Sequence, residues 1–343
     1  MGVYVGLDVS LKRTAVCVLD ATGRVEWEGW SDTHPEMIGA VLSRWGAEIS
    51  LVGLETGSST PWLARGLEAL GLPVVVMDAR RAADAIKARV VKTDRSDARA
   101  LAEMLRAGWY TQVHVKTEES HRIKALLSSR DQLVRNKRSF FGQIRGMLRP
   151  FGIRLAARQG GRAFDEAARA ACRHDDLLYR CVEALLAALA AIESQIAVLD
   201  KQVRMYLQRS KPCWHLTSVP CVGPITALAF LAAVEDPGRF RRSRDIGAYL
   251  GLTPKRYQSG ERDITGAISK QGDAMARHYL YEAANCLLTT WSGRSPLKSW
   301  GLALVKRSGA KKARVAVARK LACLLLRLWK QETHYDEADL KTA

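Results

Sequence analysis

The sequence predicts an α/β N-terminal domain, then a long helical segment with a coiled-coil repeat, then a mostly α-helical C-terminal domain. Three observations carry this reading. Strand and helix patterns alternate through the first hundred residues, an unbroken heptad seam runs from Leu178 to Tyr206, and basic residues crowd the last third of the chain. At 343 residues the chain is too long for one ordinary core. The pattern changes place the boundaries at 1–115, 116–210 and 211–335, with 336–343 as a tail.

Val3-Tyr-Val-Gly-Leu-Asp8 alternates with period two, and a second apolar run, Thr14–Leu19, follows at once. The turn Asp20-Ala-Thr-Gly23 leads to Arg24-Val-Glu-Trp-Glu28, so three strands can form an antiparallel meander. A helix around Met37–Trp45, a strand at Ile49–Leu54, a helix at Pro61–Leu70 and a strand at Pro73–Met77 complete the alternation. That order is the order of a ribonuclease-H-like sheet, and other mixed α/β folds share it.

In the middle, Leu178, Val182, Leu185, Leu189, Ile192, Ile196, Leu199, Val203 and Tyr206 are spaced alternately four and three apart, a coiled-coil seam. Ile123, Leu126, Leu133, Phe140, Ile144 and Met147 keep the same rhythm upstream, with Arg130 and Lys137 at two seam positions. An intramolecular hairpin and self-association explain such a seam equally well. Pro150-Phe-Gly152 and Gln159-Gly-Gly161 mark breaks between the two stretches.

Further on, Leu216–Val234 reads as helix, tight turn at Cys221-Val-Gly-Pro224, helix. The backbone N–H groups beside Gly223 could seat a DNA phosphate, and a plain packing hairpin fits as well. Arg239–Arg277 reads as loop-rich and basic, and Lys311–Lys330 as an amphipathic basic helix.

The formal net charge is +18. An excess of that size points to a polyanionic partner, because each phosphate contact releases condensed counterions. Its distribution agrees: no acid lies between Glu282 and Glu332, a stretch holding Lys311, Lys312 and Arg314. The seven cysteines are scattered, with no metal-binding spacing, which argues against structural zinc and fits a reducing cytoplasm. No signal peptide is visible, and the longest apolar runs, Ala184–Ile192 and Ile225–Val234, fall short of the ~20 residues a membrane span needs. A soluble cytoplasmic protein with no membrane partner is expected.

Four acids form the candidate site. Asp8 ends the first strand on the face of Tyr4 and Gly6, and Glu55 ends the strand Ile49–Leu54 before Thr56-Gly-Ser58. Asp94 and Asp97 open a helix in Lys92-Thr-Asp-Arg-Ser-Asp-Ala98 whose apolar side carries Ala98, Leu101 and Leu105. Residues three apart share a helix face, so strand-end and helix-start carboxylates can converge at one sheet edge. Such a cluster suits Mg²⁺ and two-metal phosphodiester chemistry. Singly, each acid has a plainer role: a strand end, a local ion pair, a helix cap.

The segments Gly6-Leu-Asp-Val-Ser10, Gly53-Leu-Glu-Thr-Gly57 and Lys92-Thr-Asp-Arg-Ser-Asp-Ala98 resemble the DEDD motif of insertion-sequence transposases of the "one-ten" family. These are bridge-RNA-guided recombinases related to the Piv DNA invertase. The resemblance continues through Val219-Pro-Cys-Val-Gly-Pro224, Tyr249-Leu-Gly-Leu-Thr-Pro254, Gln258-Ser-Gly260, Gly266-Ala-Ile-Ser-Lys270 with Gly272-Asp273, and Lys312-Ala-Arg-Val-Ala-Val-Ala-Arg-Lys-Leu321. It implies a RuvC-like N-terminal domain whose acids are Asp8, Glu55, Asp94 and Asp97, binding Mg²⁺. It also implies a nucleophilic serine that forms a phosphoserine link to DNA, best matched by Ser259. Where family members carry a second serine and a second glycine, this chain has Gln258 and Glu261. Ser269 is the alternative nucleophile, in a stretch that more resembles a phosphate-contacting loop.

From residue chemistry alone Ser259 is an ordinary turn serine, although Gly260 allows close approach and Arg256, Arg262 and Lys270 could neutralise a phosphate. The resemblance implies further partners: donor and target DNA duplexes, a bridge RNA that chooses them, and further copies of the chain, with domains of different subunits sharing a site. A bacterial, nucleoid-associated location follows. A metal-dependent, Holliday-junction-resolving endonuclease without a covalent intermediate, and a non-catalytic nucleic-acid-binding protein, are the rival readings.

Overall fold

In the computed structural model, which describes residues 2–80, 93–156, 160–260 and 262–336, alternation in the first segment produces a sheet rather than isolated strands. Lys92, Gln159, Glu261 and the tail past Asp336 lie outside the described residues. The chain divides into two units, Met1–Thr117 and Glu118–Ala343.

In the first unit β1 (Val3–Val9), β2 (Arg13–Leu19) and β3 (Val25–Asp32) form the antiparallel meander. β4 (Ile49–Glu55) runs parallel to β1, and β5 (Val74–Met77) runs parallel to β4. The order across the sheet is β3-β2-β1-β4-β5. Val3, Val5, Leu7, Val16 and Val18 point to one face and are buried with Ile38 and Leu42 of α1 (Pro35–Leu42) and Leu63, Ala64 and Leu67 of α2 (Thr60–Ala69).

The opposite face is covered by α3 (Asp94–Arg106). Its Ala98 and Ala102 join Ala15, Cys17 and Leu19, and its Leu101, Met104 and Leu105 join Val75 and Met77. The mixed α/β domain with a five-stranded sheet, followed by a helical C-terminal region, is therefore what the chain forms.

Gly6 decides how α3 sits. A Cβ built there would lie 2.0 Å from the carbonyl oxygen of Ala98 and 2.5 Å from the nitrogen of Ala102. The helix backbone thus lies directly on β1, a closeness only glycine permits.

In the second unit α4 (Glu118–Leu148) and α6 (Asp176–Arg209) pack side by side. The two seam cations find partners across this contact: Arg130 Nε donates to Asp200 at 2.5 Å, and Lys137 meets Glu193 at 2.7 Å. A seven-residue step forward on α4 is a seven-residue step back on α6, so the pair is antiparallel in one fixed register. At one end Leu127 and Val203 enter the C-terminal core. At the other, Ile144, Leu148, Val182 and Leu186 close around Phe164, Ala168 and Cys172 of α5 (Arg162–Cys172). Sequence reading did not separate α5 from its surroundings. Between these ends the seam residues Leu133, Ile192, Ile196 and Leu199 are only half-buried.

Asp176–Arg209 is the one described helix long and apolar enough, by length and composition, to cross a membrane, although each of its apolar runs is short. It also carries Glu183, Glu193 and Asp200, each ion-paired to a helix beside it. For the Arg130–Asp200 pair, removal of one partner and removal of both should differ. Asp200→Ala leaves a largely enclosed guanidinium unmatched and is expected to cost about 1–3 kcal/mol. Arg130→Met with Asp200→Leu should recover most of that, because an apolar pair replaces a desolvated ionic one. Thermal denaturation of the two variants checks this.

The C-terminal core is built around α8 (Pro224–Val234). Every residue from Thr226 to Val234 is buried, and a helix apolar on all sides belongs in the interior. Around it stand α7 (Lys211–Thr217), α10 (Ala274–Thr289) and α4, and beyond these α11 (Pro296–Ser308) and α12 (Ala310–Gln331).

The segment Arg239–Arg277 differs from the expected loop. After a short helix, α9 (Ile246–Tyr249), it contains an antiparallel ribbon, β6 (Pro254–Ser259) and β7 (Arg262–Ile268). Apart from the half-buried Ile268, the described ribbon residues are exposed on both faces. The apolar-in, polar-out alternation that announces a strand is therefore missing.

Candidate functional site

Asp8 and Glu55 come together because β1 and β4 are parallel neighbours in register: Gly6 lies beside Gly53 and Leu7 beside Leu54. The next residue of each strand is the acid. Both carboxylates line a cleft of about 220 Å³ with Val9, Ser10 and Leu11 on one side and Thr56, Gly57, Ser58, Ser59 and Thr60 on the other. The hydroxyl-rich rim beyond Glu55 was visible in sequence only as Thr56-Gly-Ser58. Thr60 fastens the turn, its hydroxyl donating to the Glu55 carbonyl at 2.6 Å.

Asp94 and Asp97 reach the same end of the sheet by the direction of α3. Leu101, Met104 and Leu105 pack with Tyr4 and Leu51, near the start of β1 and β4, while Ala98 sits over Gly6. Moving toward Asp8 along β1 is therefore moving toward the N-terminus of α3.

Asp94 is not the cap of this helix. Thr93 is: its side chain accepts from the Ser96 nitrogen at 3.2 Å, and the Ser96 hydroxyl accepts from the Thr93 nitrogen at 2.9 Å. This reciprocal box, worth about 1 kcal/mol, leaves both aspartates of the first turn unused as caps. Asp97 is half-buried and Asp94 exposed. A first-turn position also favours negative charge through the helix dipole.

The acids are hard oxygen donors of the kind that divalent cations take. In the arrangement present, Asp8 and Glu55 share the cleft, while Asp94 and Asp97 stand at its end of the sheet without lining it. Among the described residues no three acids are drawn into a single coordination sphere. Beside α3 a second depression is lined by Glu28, Arg95, Ser96 and Arg99.

The remaining candidates lie in the second unit. Ser259 is the last residue of β6, exposed, paired with Arg262 across the turn. Arg256 forks onto Asp263, Nε to Oδ1 at 2.8 Å and an Nη to Oδ2 at 2.7 Å. The pairing holds Asp263 below the usual carboxylate range and raises Arg256. Arg256 is thus already matched, whereas Lys255 and Arg262 have no described acid in an ion pair with them.

Ser269 lies beyond the ribbon. Its nitrogen donates to Thr253 and its hydroxyl accepts from Gln271, so it belongs to the ribbon's base. There two chain segments cross: a Cβ on Gly251 would meet the Gln271 oxygen at 2.0 Å, and one on Gly272 the Tyr249 oxygen at 2.0 Å. Arg277, which the sequence did not single out, donates to the carbonyls of Leu250 and Gln271 and ties the crossing together. Burial lowers its pKa. Lys270 sits in the same crossing, exposed, with φ +55°. Gly223 is the exposed N-cap of α8, followed by Pro224. Lys311 and Lys312 are exposed in the first turn of α12, and Arg314 is half-buried beside them.

The fold and site define a mixed α/β domain with two strand-end carboxylates in one cleft and an acid-bearing helix at the same end of the sheet, followed by a helical region. The family is more specific. The DEDD transposase domain of the IS110 group matches residues 5–152, which include all four acids. The transposase IS116/IS110/IS902 family domain matches residues 213–298, which include Gly223, Arg256, Ser259, Arg262 and Lys270.

The chain is 29% identical over 337 residues to the transposase for insertion sequence element IS1111A of Coxiella burnetii, covering 96% of this chain and 90% of that one. It is 30% identical over 295 residues to a family 20 transposase of Pseudomonas aeruginosa, covering 83% and 85%. A third relative is the transposase for insertion sequence element IS1328 of Yersinia enterocolitica, 27% identical over 277 residues, covering 79% and 81%. The chain belongs to the IS110/IS116/IS902 family of transposases. Its substrate is accordingly DNA, and domains of the DEDD type are typically dependent on a divalent metal.

Proposed function

We propose that this transposase cuts and rejoins DNA strands through a phosphoserine intermediate formed at Ser259, with Asp8, Glu55, Asp94 and Asp97 holding Mg²⁺ at the reacting phosphate. The observation that carries the reading is the register of β1 and β4, which puts Asp8 and Glu55 into one cleft at the sheet end to which α3 brings Asp94 and Asp97. Bound there, Mg²⁺ would polarise the phosphate and offset the charge that develops on its oxygens.

The Ser259 oxygen bonds to phosphorus as one strand P–O bond breaks, and the proton the serine gives up is balanced by the one the departing oxygen takes to leave as a DNA hydroxyl. A hydroxyl end from the partner duplex then attacks the same phosphorus, joining the strands and restoring the serine. The phosphodiester energy stays in the serine ester, so no ATP is consumed. Arg262 and Lys270 stabilise the phosphate, Gly223 offers the helix start at α8, and Lys311, Lys312 and Arg314 bind the DNA backbone. Arg256 takes part only by exchanging Asp263 for phosphate.

Within this proposal the N-terminal domain is ribonuclease-H- and RuvC-like and ends near 115, the helical linker runs 116–210, and the transposase domain occupies 211–335. A bridge RNA selects donor and target duplexes. The chain works as a dimer or tetramer, for which the half-buried middle of the α4/α6 seam is a suitable self-association surface. It acts in the bacterial cytoplasm at the nucleoid.

The test is strand exchange between two junction duplexes by protein purified with its co-expressed RNA. Product should form with Mg²⁺, vanish with chelator, and fall at least tenfold after the RNA is digested away. Equal exchange by RNA-free protein would overturn the guide, and chelator-resistant exchange would overturn the metal role.

A further inference from the structure

The ribbon that ends in Ser259 carries a feature its proposed chemistry does not use. Tyr257 stands directly opposite Ile264, and Ser259 directly opposite Arg262. Directly paired residues share a face of the ribbon, and Lys255, two residues before Tyr257, shares it too. Arg256, Gln258, Asp263 and Thr265 occupy the other face, where the Arg256–Asp263 fork neutralises its own charge.

The serine's face therefore presents a cation, an apolar pair, then the hydroxyl with a second cation. Tyr257 is 62% exposed and Ile264 58%. Nothing in the described core packs behind them, since the ribbon is exposed on both faces. Large apolar side chains held open between cations that no described acid pairs with suit a ligand that is both flat and anionic.

We infer that Tyr257, backed by Ile264, is a stacking platform for an unpaired DNA base within about two nucleotides of the phosphate that Ser259 attacks. The inference rests on the recombinase reading for the identity of that phosphate. Tyr257 and Ser259 are two residues apart, about 7 Å along a strand, or roughly two rises of ~3.4 Å along DNA. A base stacked on the ring thus belongs to a nucleotide within about two steps of the one at the serine. Stacking needs a base out of its pair, and extruding one costs least where the strand is already displaced. The preferred ligand is single-stranded DNA or a duplex opened at the crossing point. Lys255 and Arg262 contribute phosphate contacts without sequence preference.

The test measures anisotropy of the full-length Ser259→Ala protein, in chelator, with a short labelled single-stranded oligodeoxynucleotide and with the matching duplex. Tyr257→Ala should weaken single-strand binding about tenfold or more, with little effect on duplex and an unchanged slope of log affinity against log salt. Tyr257→Phe should bind within about twofold of the parent, since the ring is retained. Tyr257→Val keeps strand propensity and should be as weak as alanine, which separates stacking from ribbon folding. Arg262→Ala should lower the salt slope by about one.

Full affinity in Tyr257→Val, or Tyr257-dependent binding confined to an RNA of the same sequence, would overturn the assignment. The assay needs neither metal nor serine. Tyr257-dependent binding without any covalent chemistry would refute the recombinase reading alone, and covalent chemistry without the Tyr257 effect would refute only the platform.

Discussion

Replacing Asp8 by asparagine is expected to lower DNA strand cleavage by about 10³-fold or more, on the order of 4 kcal/mol in barrier, while the protein still binds DNA. Asparagine keeps the shape at the end of β1 and removes only the charge. The side chain sits on the face covered by α3 and is half-buried at the cleft. Glu55→Gln should behave alike, because the register of β1 and β4 makes the two acids one unit of the cleft. Their losses should then be far from additive. Cleavage rate on junction DNA, with circular dichroism and anisotropy as controls, reads this out. A variant that cleaves within tenfold of the parent would remove Asp8 from the chemistry.

The second large effect is a stability effect that carries activity with it. Gly6→Ala introduces a Cβ about 2 Å from the Ala98 carbonyl oxygen, so α3 has to lift from the sheet. Neither contact can yield by rotating a side chain, because both are backbone. A cost of about 3 kcal/mol or more is expected, lowering the Tm of the N-terminal unit by roughly 10 °C. Cleavage should fall even at temperatures where the unit stays folded, since α3 carries Asp94 and Asp97. Calorimetry with a cleavage assay well below Tm tests both parts. An unchanged Tm would show that the helix does not press on β1 as described.

The sheet was readable because its signals are local. Val3, Val5 and Leu7 alternate with Tyr4, Gly6 and Asp8, and both sets ended on the faces that alternation assigns them. The meeting of Asp8 and Glu55 in one cleft was readable only as two strand ends, since pairing of β1 with β4 is a long-range fact. Capping of α3 by Thr93 rather than Asp94 turned on a reciprocal bond between Thr93 and Ser96, two residues equally at home in a turn.

The heptad seam announced α6 without naming its mate. Arg130 and Lys137 seven apart on one helix and Glu193 and Asp200 seven apart on the other fit a parallel or an antiparallel register alike, and the structure pairs them antiparallel, Arg130 with Asp200 and Lys137 with Glu193. The ribbon at Ser259 escaped because neither of its faces is buried, so no apolar period marks it. Arg277 escaped because its role is to satisfy carbonyls of a chain crossing that no sequence pattern declares.

The most direct test of the account is covalent trapping. Protein purified with its RNA is mixed with Mg²⁺ and end-labelled duplex DNA from its insertion junction, then run under denaturing conditions, and the adduct is digested and mapped. The account predicts a denaturant-resistant protein–DNA species joined at Ser259, lost in Ser259→Ala and in Asp97→Ala. Cleaved DNA with no adduct, formed equally well by Ser259→Ala, would contradict it and make the enzyme a hydrolytic nuclease.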